Sequence, residues 1–253
     1  MSAILETRGL RKAFGGHVVL DGVTLAFEAN RLSALIGPNG AGKTTCFNLL
    51  TGLLAPDAGE IRFKGRDITR LPPERRARLG ICRSFQIINL FDDYTVLENL
   101  RVAVPALRAR GFDCWTPAPS LAEAEDRAAA TIRLVGLAGR EHVEARFLSY
   151  GQRRLLEIGV ALAGEPELLL LDEPTSGLGS RPMETLRTLV QRLAAELTIV
   201  VIEHDMDFVL SLSHHVAVLH RGTVIAEGPP EAIRDDAEVR EAYLGRLAVA
   251  RRR

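Results

Sequence analysis

Nine residues, Gly37-Pro38-Asn39-Gly40-Ala41-Gly42-Lys43-Thr44-Thr45, constrain this chain more than any other stretch. They fit Gly-x-x-x-x-Gly-Lys-[Ser/Thr], in which small residues let successive backbone N–H groups turn inward around a polyphosphate. In that arrangement Lys43 reaches the β- and γ-phosphates and the Thr44 hydroxyl holds Mg²⁺. The flanks agree. Leu32-Ser-Ala-Leu-Ile36 is an apolar run suited to a buried strand, and Thr45 to Leu50 reads as a helix whose N-terminal dipole adds to an anion site. The motif specifies a nucleotide site, and the rest of the chain must specify the chemistry.

At 253 residues the chain suffices for one large α/β domain, or for such a core with a smaller subdomain. Lys plus Arg and Asp plus Glu stand at 32 each, so no general affinity for polyanions is expected and nucleic acid is disfavoured as a partner. No apolar run approaches the ~20 residues of a membrane-spanning helix. Met1 to Thr7 lacks the basic and hydrophobic segments of a secretory signal. A cytoplasmic protein is predicted, without direct membrane insertion and meeting a membrane only through partners. Cys46, Cys82 and Cys114 are isolated, as free thiols in a reducing compartment are, and carry no assigned chemistry.

Along the chain, Leu5 to Leu10 and Val18 to Phe27 read as strands of an antiparallel flap, since Val23, Leu25 and Phe27 alternate with Thr24, Ala26 and Glu28. Phe14-Gly15-Gly16 lies between them. Its ring is favoured as a stacking surface for adenine because the phosphate loop follows; the other reading is a core phenylalanine before a hairpin. Gly59 to Gly65 gives another short strand, and Leu71-Pro-Pro-Glu74 opens a short helix. Ile81 to Gln86 is a strand ending in a lone glutamine, whose amide suits Mg²⁺ or an attacking water, although in isolation it is an ordinary surface amide. Thr95-Val-Leu-Glu98 is a capping box for a helix toward Val104. After a loop from Gly111 to Ser120, Ser120-Leu-Ala-Glu123 is read as the cap of a second helix through Val135. These helices have no strands between them, which predicts a helical subdomain over 87–160 inserted into a core of 1–86 and 161–253.

Leu148-Ser-Tyr-Gly-Gln152 opens the next helix. Ser149 and Gln152 have capping-box spacing, which sets a hydroxyl and several amides at a positively polarised helix end. Leu168-Leu-Leu-Leu-Asp172-Glu173, bounded by Pro166 and Pro174, reads as a buried parallel strand with two acids at its C-terminal end, where α/β sheets place ligands. Thr198 to His204 is a further buried strand with a polar end. Val216 to His220, a turn at Arg221-Gly222 and Thr223 to Glu227 form a hairpin, and Pro229-Pro230 break it before a terminal helix. His214 and His215 read as surface residues, and Arg251 to Arg253 as a solvated tail.

In this order and spacing, the motifs from Phe14 through His204 resemble those of ATP-binding cassette (ABC) proteins. The resemblance implies a P-loop NTPase of ABC type: a mostly parallel core sheet, an antiparallel N-terminal β subdomain and an inserted α-helical subdomain. ATP and Mg²⁺ are the implied cofactors. Phe14, Gly37, Pro38, Asn39, Gly40, Ala41, Gly42, Lys43, Thr44 and Thr45, with Ser149, Gly151 and Gln152 of the signature motif, would contact ATP. Thr44, Gln86 and Asp172 would serve Mg²⁺, Glu173 would be the general base, and His204 the switch histidine at the γ-phosphate.

At finer grain, Phe14-Gly-Gly, Phe85-Gln-Ile-Ile-Asn-Leu-Phe91, Thr95 to Leu100, Ile202-Glu-His-Asp-Met206 and the tail from Gly228 to Gly245 resemble the ATP-binding subunits of branched-chain amino-acid importers. Urea importers and the lipopolysaccharide-export ATPase are close relatives, and soluble assembly ATPases of the iron–sulfur type would share the catalytic set. The importer reading implies a second ABC ATPase subunit, identical or related, two transmembrane permease subunits and, indirectly, a solute-binding protein, on the cytoplasmic face of the inner membrane. One position departs from the pattern. Ser176-Gly-Leu-Gly179 ends in glycine where the family carries aspartate or asparagine, so weaker communication between two ATP sites is expected.

Overall fold

A computed structural model describes residues 3–84, 88–104 and 119–250. Strands β1 (Ala3–Phe14) and β2 (His17–Glu28) form an antiparallel hairpin, longer than the predicted strands because pairing continues to its tip. The tip residues Gly15 and Gly16 both hold positive φ, at 55° and 86°, as a tight two-residue hairpin turn demands. Val23, Leu25 and Phe27 are buried while Thr24 and Ala26 face outward. With β4 (Ala58–Phe63) and β5 (Arg66–Asp67) they make a four-stranded antiparallel sheet in the order β2-β1-β4-β5.

The second sheet has six strands in the order β10-β9-β3-β8-β7-β6. Its centre is three fully buried segments, β3 (Leu32–Ile36), β7 (Leu168–Asp172) and β8 (Thr198–Ile202), whose continuous apolar character fits a parallel sheet covered on both faces. β6 (Ile81–Ser84) pairs in parallel with β7, and β9 (His215–His220) with β3. β10 (Thr223–Gly228) adds an antiparallel edge through the predicted turn at Arg221-Gly222.

Helices α1 (Lys43–Thr51), α2 (Pro73–Arg78), α3 (Val96–Ala103), α4 (Pro119–Leu134), α5 (Tyr150–Ala163), α6 (Ser180–Ala194) and α7 (Met206–Leu212) fill the connections. Both capping boxes form at the starts of α3 and α5: Glu98 N–H donates to Thr95 Oγ1 at 3.2 Å and Ser149 N–H to Gln152 Oε1 at 3.0 Å. Ser120 is different. It lies inside α4, which begins at Pro119, a residue preorganised for a first helical turn, so it is not the cap. The tail also departs from expectation, with α8 (Pro230–Asp235) and α9 (Ala237–Ala250) in place of one helix. The chain breaks at Asp236, whose carboxylate accepts from Val239 N–H at 3.0 Å and so caps the second helix.

α3, α4 and α5 pack together, and a Cβ on Gly159 of α5 would lie 3.2 Å from Leu100 and 3.4 Å from Val135. α5 runs through the boundary at residue 160, and its Leu156 and Ile158 share one core with Leu169, Leu171 and Val201 of the sheet. Among the described residues no helix is long and apolar enough to cross a membrane.

The far end of α1 is held by a residue that local pattern does not mark. Arg76 is buried and donates to the backbone oxygens of Leu49 (2.6 Å) and Leu50 (2.8 Å) in the last turn of α1 and of Thr69 (2.9 Å) and Leu71 (2.9 Å) in the segment before α2, tying the two together. Burial lowers its pKa to about 10, which still leaves it charged at neutral pH. Arg76→Ala is expected to destabilise the fold by about 3 kcal/mol, read as a shift in urea midpoint, because several buried acceptors lose a charged donor. Arg76→Lys should recover only part of this, and an unchanged midpoint in the alanine variant would contradict the clamp.

Candidate nucleotide site

An open cleft of about 890 Å³ lies at the C-terminal ends of β3, β7 and β8. Gly37, Pro38, Asn39, Gly40, Gly42, Lys43, Thr44 and Thr45 line it together with Glu173 and His204. Two of the glycines are required. A Cβ on Gly37 would sit 2.0 Å from the Leu219 backbone oxygen, and one on Gly42 would meet Leu20 at 2.7 Å and the Val19 backbone oxygen at 2.9 Å, with φ at 104°. The loop is thus pressed against the Val19–Leu20 segment of β2 and against β9. Lys43 is buried, and its Nζ donates to the backbone oxygens of Gly37 (2.7 Å) and Pro38 (3.1 Å).

Across the cleft, Glu173 Oε1 and His204 Nε2 stand 2.7 Å apart. Glu173 adopts φ 45°, a left-handed conformation that costs a non-glycine residue about 1–2 kcal/mol. Two contacts hold it there. Its N–H donates to Ile202 O at 2.9 Å, and Arg154 Nη2 of α5 donates to the backbone oxygens of Asp172 (2.7 Å) and Glu173 (2.8 Å). Arg154 is itself buried and paired with Glu157 at 2.6 Å. Glu203, also buried, accepts from Thr175 N–H (2.8 Å) and His204 N–H (2.9 Å), which ties together the loops that follow β7 and β8. A carboxylate and an imidazole held this way can orient and deprotonate a water beside an amine-lined anion site.

Asp172 stands behind the cleft. Its Oδ2 accepts from Arg83 at 2.5 Å, and Arg83 also donates to Asn48 at 2.6 Å, while Asp172 Oδ1 is buried with no hydrogen-bond partner among the described residues. Phe14 is at the hairpin tip, 47% exposed, with the Lys12 ammonium over its ring. It does not line the cleft, whereas His17 and Val19 of the same hairpin do. Ser149, Gly151 and Gln152 are not part of the lining either; Ser149 is exposed elsewhere on the surface of the same chain. Gln86, Cys114 and Arg251 to Arg253 lie outside the described residues. Cys46 is buried, which pushes its thiol pKa up to about 12 and leaves it inert.

Residues 20–176 match the family model described as ABC transporter. The chain is 42% identical to the high-affinity branched-chain amino acid transport ATP-binding protein BraF of Pseudomonas aeruginosa, covering 96% of this chain and 98% of that one. The chain belongs to the ABC transporter family. Within it the chain is an ATP-binding, ATP-hydrolysing subunit. It is 40% identical to the high-affinity branched-chain amino acid transport ATP-binding protein LivG of Escherichia coli K12, again over 96% of this chain and 98% of that one. Residues 223–248 match a second model, described as branched-chain amino acid ATP-binding cassette transporter. The solved ADP conformation of an ATP-binding cassette of an ABC transporter superposes with a TM-score of 0.85 at 33% identity, over 97% of this chain and all of that one.

The structure adds residues to the site that the motifs leave out. Tyr243 of α9 lines the cleft beside the phosphate loop; burial pushes its phenol pKa up to about 12, and its hydroxyl approaches the Gly37 backbone without meeting hydrogen-bond geometry. Arg154 is another, along with His17, Val19 and Glu203. Its one sequence signal is an Arg-x-x-Glu pair set among Leu155, Leu156 and Ile158 on a helix that the apolar pattern buries. Arg154→Ala should destabilise the fold by about 3–5 kcal/mol, since it removes the buried guanidinium that pairs with Glu157 and donates to the carbonyls of Asp172 and Glu173. Arg154→Met combined with Glu157→Leu should recover the part of that loss due to the broken ion pair in thermal melts, and not the part due to the backbone oxygens. ATP turnover should stay depressed in the double variant, because the carbonyls of Asp172 and Glu173 remain unheld. Full recovery of turnover would show that Arg154 serves packing alone.

Proposed function

We propose that this ATPase powers the import of branched-chain amino acids, closing on a second ATPase subunit with ATP between them and driving two transmembrane permease subunits. The observation that carries the reading is the convergence of Lys43, Glu173 and His204 on one phosphate-loop cleft, while the exposed Ser149 at the start of α5 does not line that cleft. A capped helix end placed away from its own cleft suits donation to the cleft of another subunit. Amino-acid import rests on the names of the relatives and on the match over 223–248.

In this reading residues 1–86 and 161–253 form the ATP-binding core and 87–160 the helical subdomain. Backbone amides of Gly40 to Thr45 and the Lys43 ammonium hold the β- and γ-phosphates. Val19 and His17 close the hairpin side of the cleft, and Phe14, exposed at the tip beside it, stacks on the part of the adenine that projects past them. Glu173 orients and deprotonates the attacking water, and His204 contacts both that carboxylate and the γ-phosphate. The residues present suit Mg²⁺, which takes few protein oxygens and completes its shell with phosphate and water. Thr44 is exposed at the cleft, Asp172 Oδ1 is buried without a hydrogen-bond partner among the described residues, and Gln86 is the third proposed contributor. When bound, the ion would neutralise charge on the β- and γ-phosphates. Solute choice lies with a solute-binding protein and the permeases. A groove of about 280 Å³ between the end of α1, α2 and α5, lined by Leu53, Ala77, Cys82 and Val160 among others, is where a permease helix would dock, placing the ATPase on the cytoplasmic face of the inner membrane.

Glu173→Gln should retain ATP binding and trap an ATP-bound dimer on size exclusion, with turnover lowered by about 10² to 10⁴, the range for loss of a general base. Lys43→Ala should abolish both ATP binding and that dimer. Turnover at the wild-type rate in Glu173→Gln would refute the assigned base. Uptake of labelled leucine by the complex reconstituted with its co-purifying membrane subunits tests the cargo; co-purification of soluble scaffold proteins instead would overturn transport.

A further inference from the structure

The loop Thr175–Gly179, which follows Glu173, is tied at its start by Glu203, which accepts from Thr175 N–H at 2.8 Å, but it enters α6 without a side-chain cap. Gly179 is the N-cap residue of α6, with no side-chain cap, and a Cβ there would meet nothing within 4 Å. The loop is instead held from the start of α5. Tyr150 Oη donates to the Ser176 backbone oxygen at 3.2 Å. Its ring lies against Gly177, where φ is 73° and a Cβ would come within 3.0 Å of Tyr150 Cε1. One residue on, Gly151 is packed so tightly that its Cβ would stand 2.8 Å from Pro182 of α6. Gly151 thus lets the first turn of α5 approach α6, Gly177 lets the loop approach that same turn, and the Tyr150 side chain bridges turn and loop.

We infer that Tyr150 is a positioning residue: it fastens the loop behind Glu173 to the helix start that carries Ser149, supplying the anchor that Gly179 cannot. Ser176 N–H donates to Glu173 O at 3.1 Å and Leu178 N–H to Thr175 O at 3.1 Å, so a displacement of the loop at Ser176 is transmitted within one turn to the backbone of Glu173. Arg154 holds that backbone from one side, and Tyr150 steadies the strand of loop leaving it. The consequence for turnover rests on the proposed role of Glu173; the anchoring itself does not.

The test pairs two readouts on the full chain. In Tyr150→Ala, backbone amides of Ser176 and Leu178 should exchange faster in hydrogen–deuterium exchange without nucleotide, with the melting temperature nearly unchanged. Turnover should fall about tenfold while the KM for ATP stays within about twofold, as expected when a base is misplaced and binding is not. Tyr150→Phe, which keeps the ring on Gly177, should fall between. Gly179→Asp supplies a favoured N-cap side chain to α6, so Tyr150→Ala in that background should lose little protection and little turnover. Unchanged exchange in Tyr150→Ala, or an equal loss in both backgrounds, overturns the inference. Faster exchange with turnover intact would overturn Tyr150 as a positioning residue. A wild-type chain without turnover would count against the proposed function, while the exchange measurements would still decide the anchor.

Discussion

The register of three parallel strands is the constraint on which the rest depends. Leu35 of β3 and Asp172 of β7 both sit opposite Ile202 of β8, so the three strands end level with one another. The phosphate loop, Glu173 and the Glu203-His204 pair therefore emerge at one edge of the sheet, although more than a hundred residues separate the first from the second. A slip of one residue in any of these strands would turn each buried side chain toward the opposite face and move one component out of the cleft. Leu168 to Leu171 and Ile199 to Ile202 are apolar on both covered faces, so the polar residues at the strand ends pin the register: Asn30 N–H donates to Thr198 Oγ1 at 2.9 Å, and Arg83 donates to Asp172 Oδ2 at 2.5 Å.

Around this edge the fold spends buried cations on backbone oxygens. Arg76 closes the end of α1, Arg154 the acids after β7, and Lys43 the opening of the phosphate loop. Guanidinium groups suit the first two tasks, since each presents several donors in a rigid fork and stays charged when buried. The arrangement explains how Glu173 keeps a strained φ next to solvent. Its carbonyl and its N–H are both committed to neighbouring elements, so relaxing the strain would leave a buried guanidinium donor and the Ile202 carbonyl unmatched.

What the sequence made legible follows from this division. The phosphate loop, the two buried strands with polar ends and both capping boxes at Thr95 and Ser149 are local patterns, and each was readable because its physics is contained within a few residues. Arg76, Arg154 and Tyr243 act on backbone or cleft far away in sequence, and no periodicity marks a side chain whose partner is a distant carbonyl. Phe14 illustrates the same limit from the other side. Its motif is visible, yet whether a hairpin tip places a ring in the cleft or beside it depends on pairing over the whole length of β1 and β2, and here His17 and Val19 do the lining. Ser120 failed for a local reason, since the capping pattern competed with a proline that starts the helix one residue earlier.

The C-terminal hairpin and helices join the generic part of the cleft to the part that resembles one class of transporter. Gly222 N–H donates to Ala41 O at 3.1 Å, and Asp21 N–H to Gly222 O at 2.9 Å, so the β9–β10 turn is threaded between the phosphate loop and the flap. A Cβ at Gly222 would stand 2.4 Å from the Val19 backbone oxygen, which leaves no freedom to insert a larger residue. Leu219 presses on Gly37 from behind, and Tyr243 covers it from α9. The segment 223–248 that matches the branched-chain model therefore begins at the turn that backs the phosphate loop and reaches past the tyrosine that lines its cleft. Within that segment Tyr243 is the residue set beside the loop, so replacing it bears on the backbone at Gly37, while β10 acts on the loop only through the turn that precedes it.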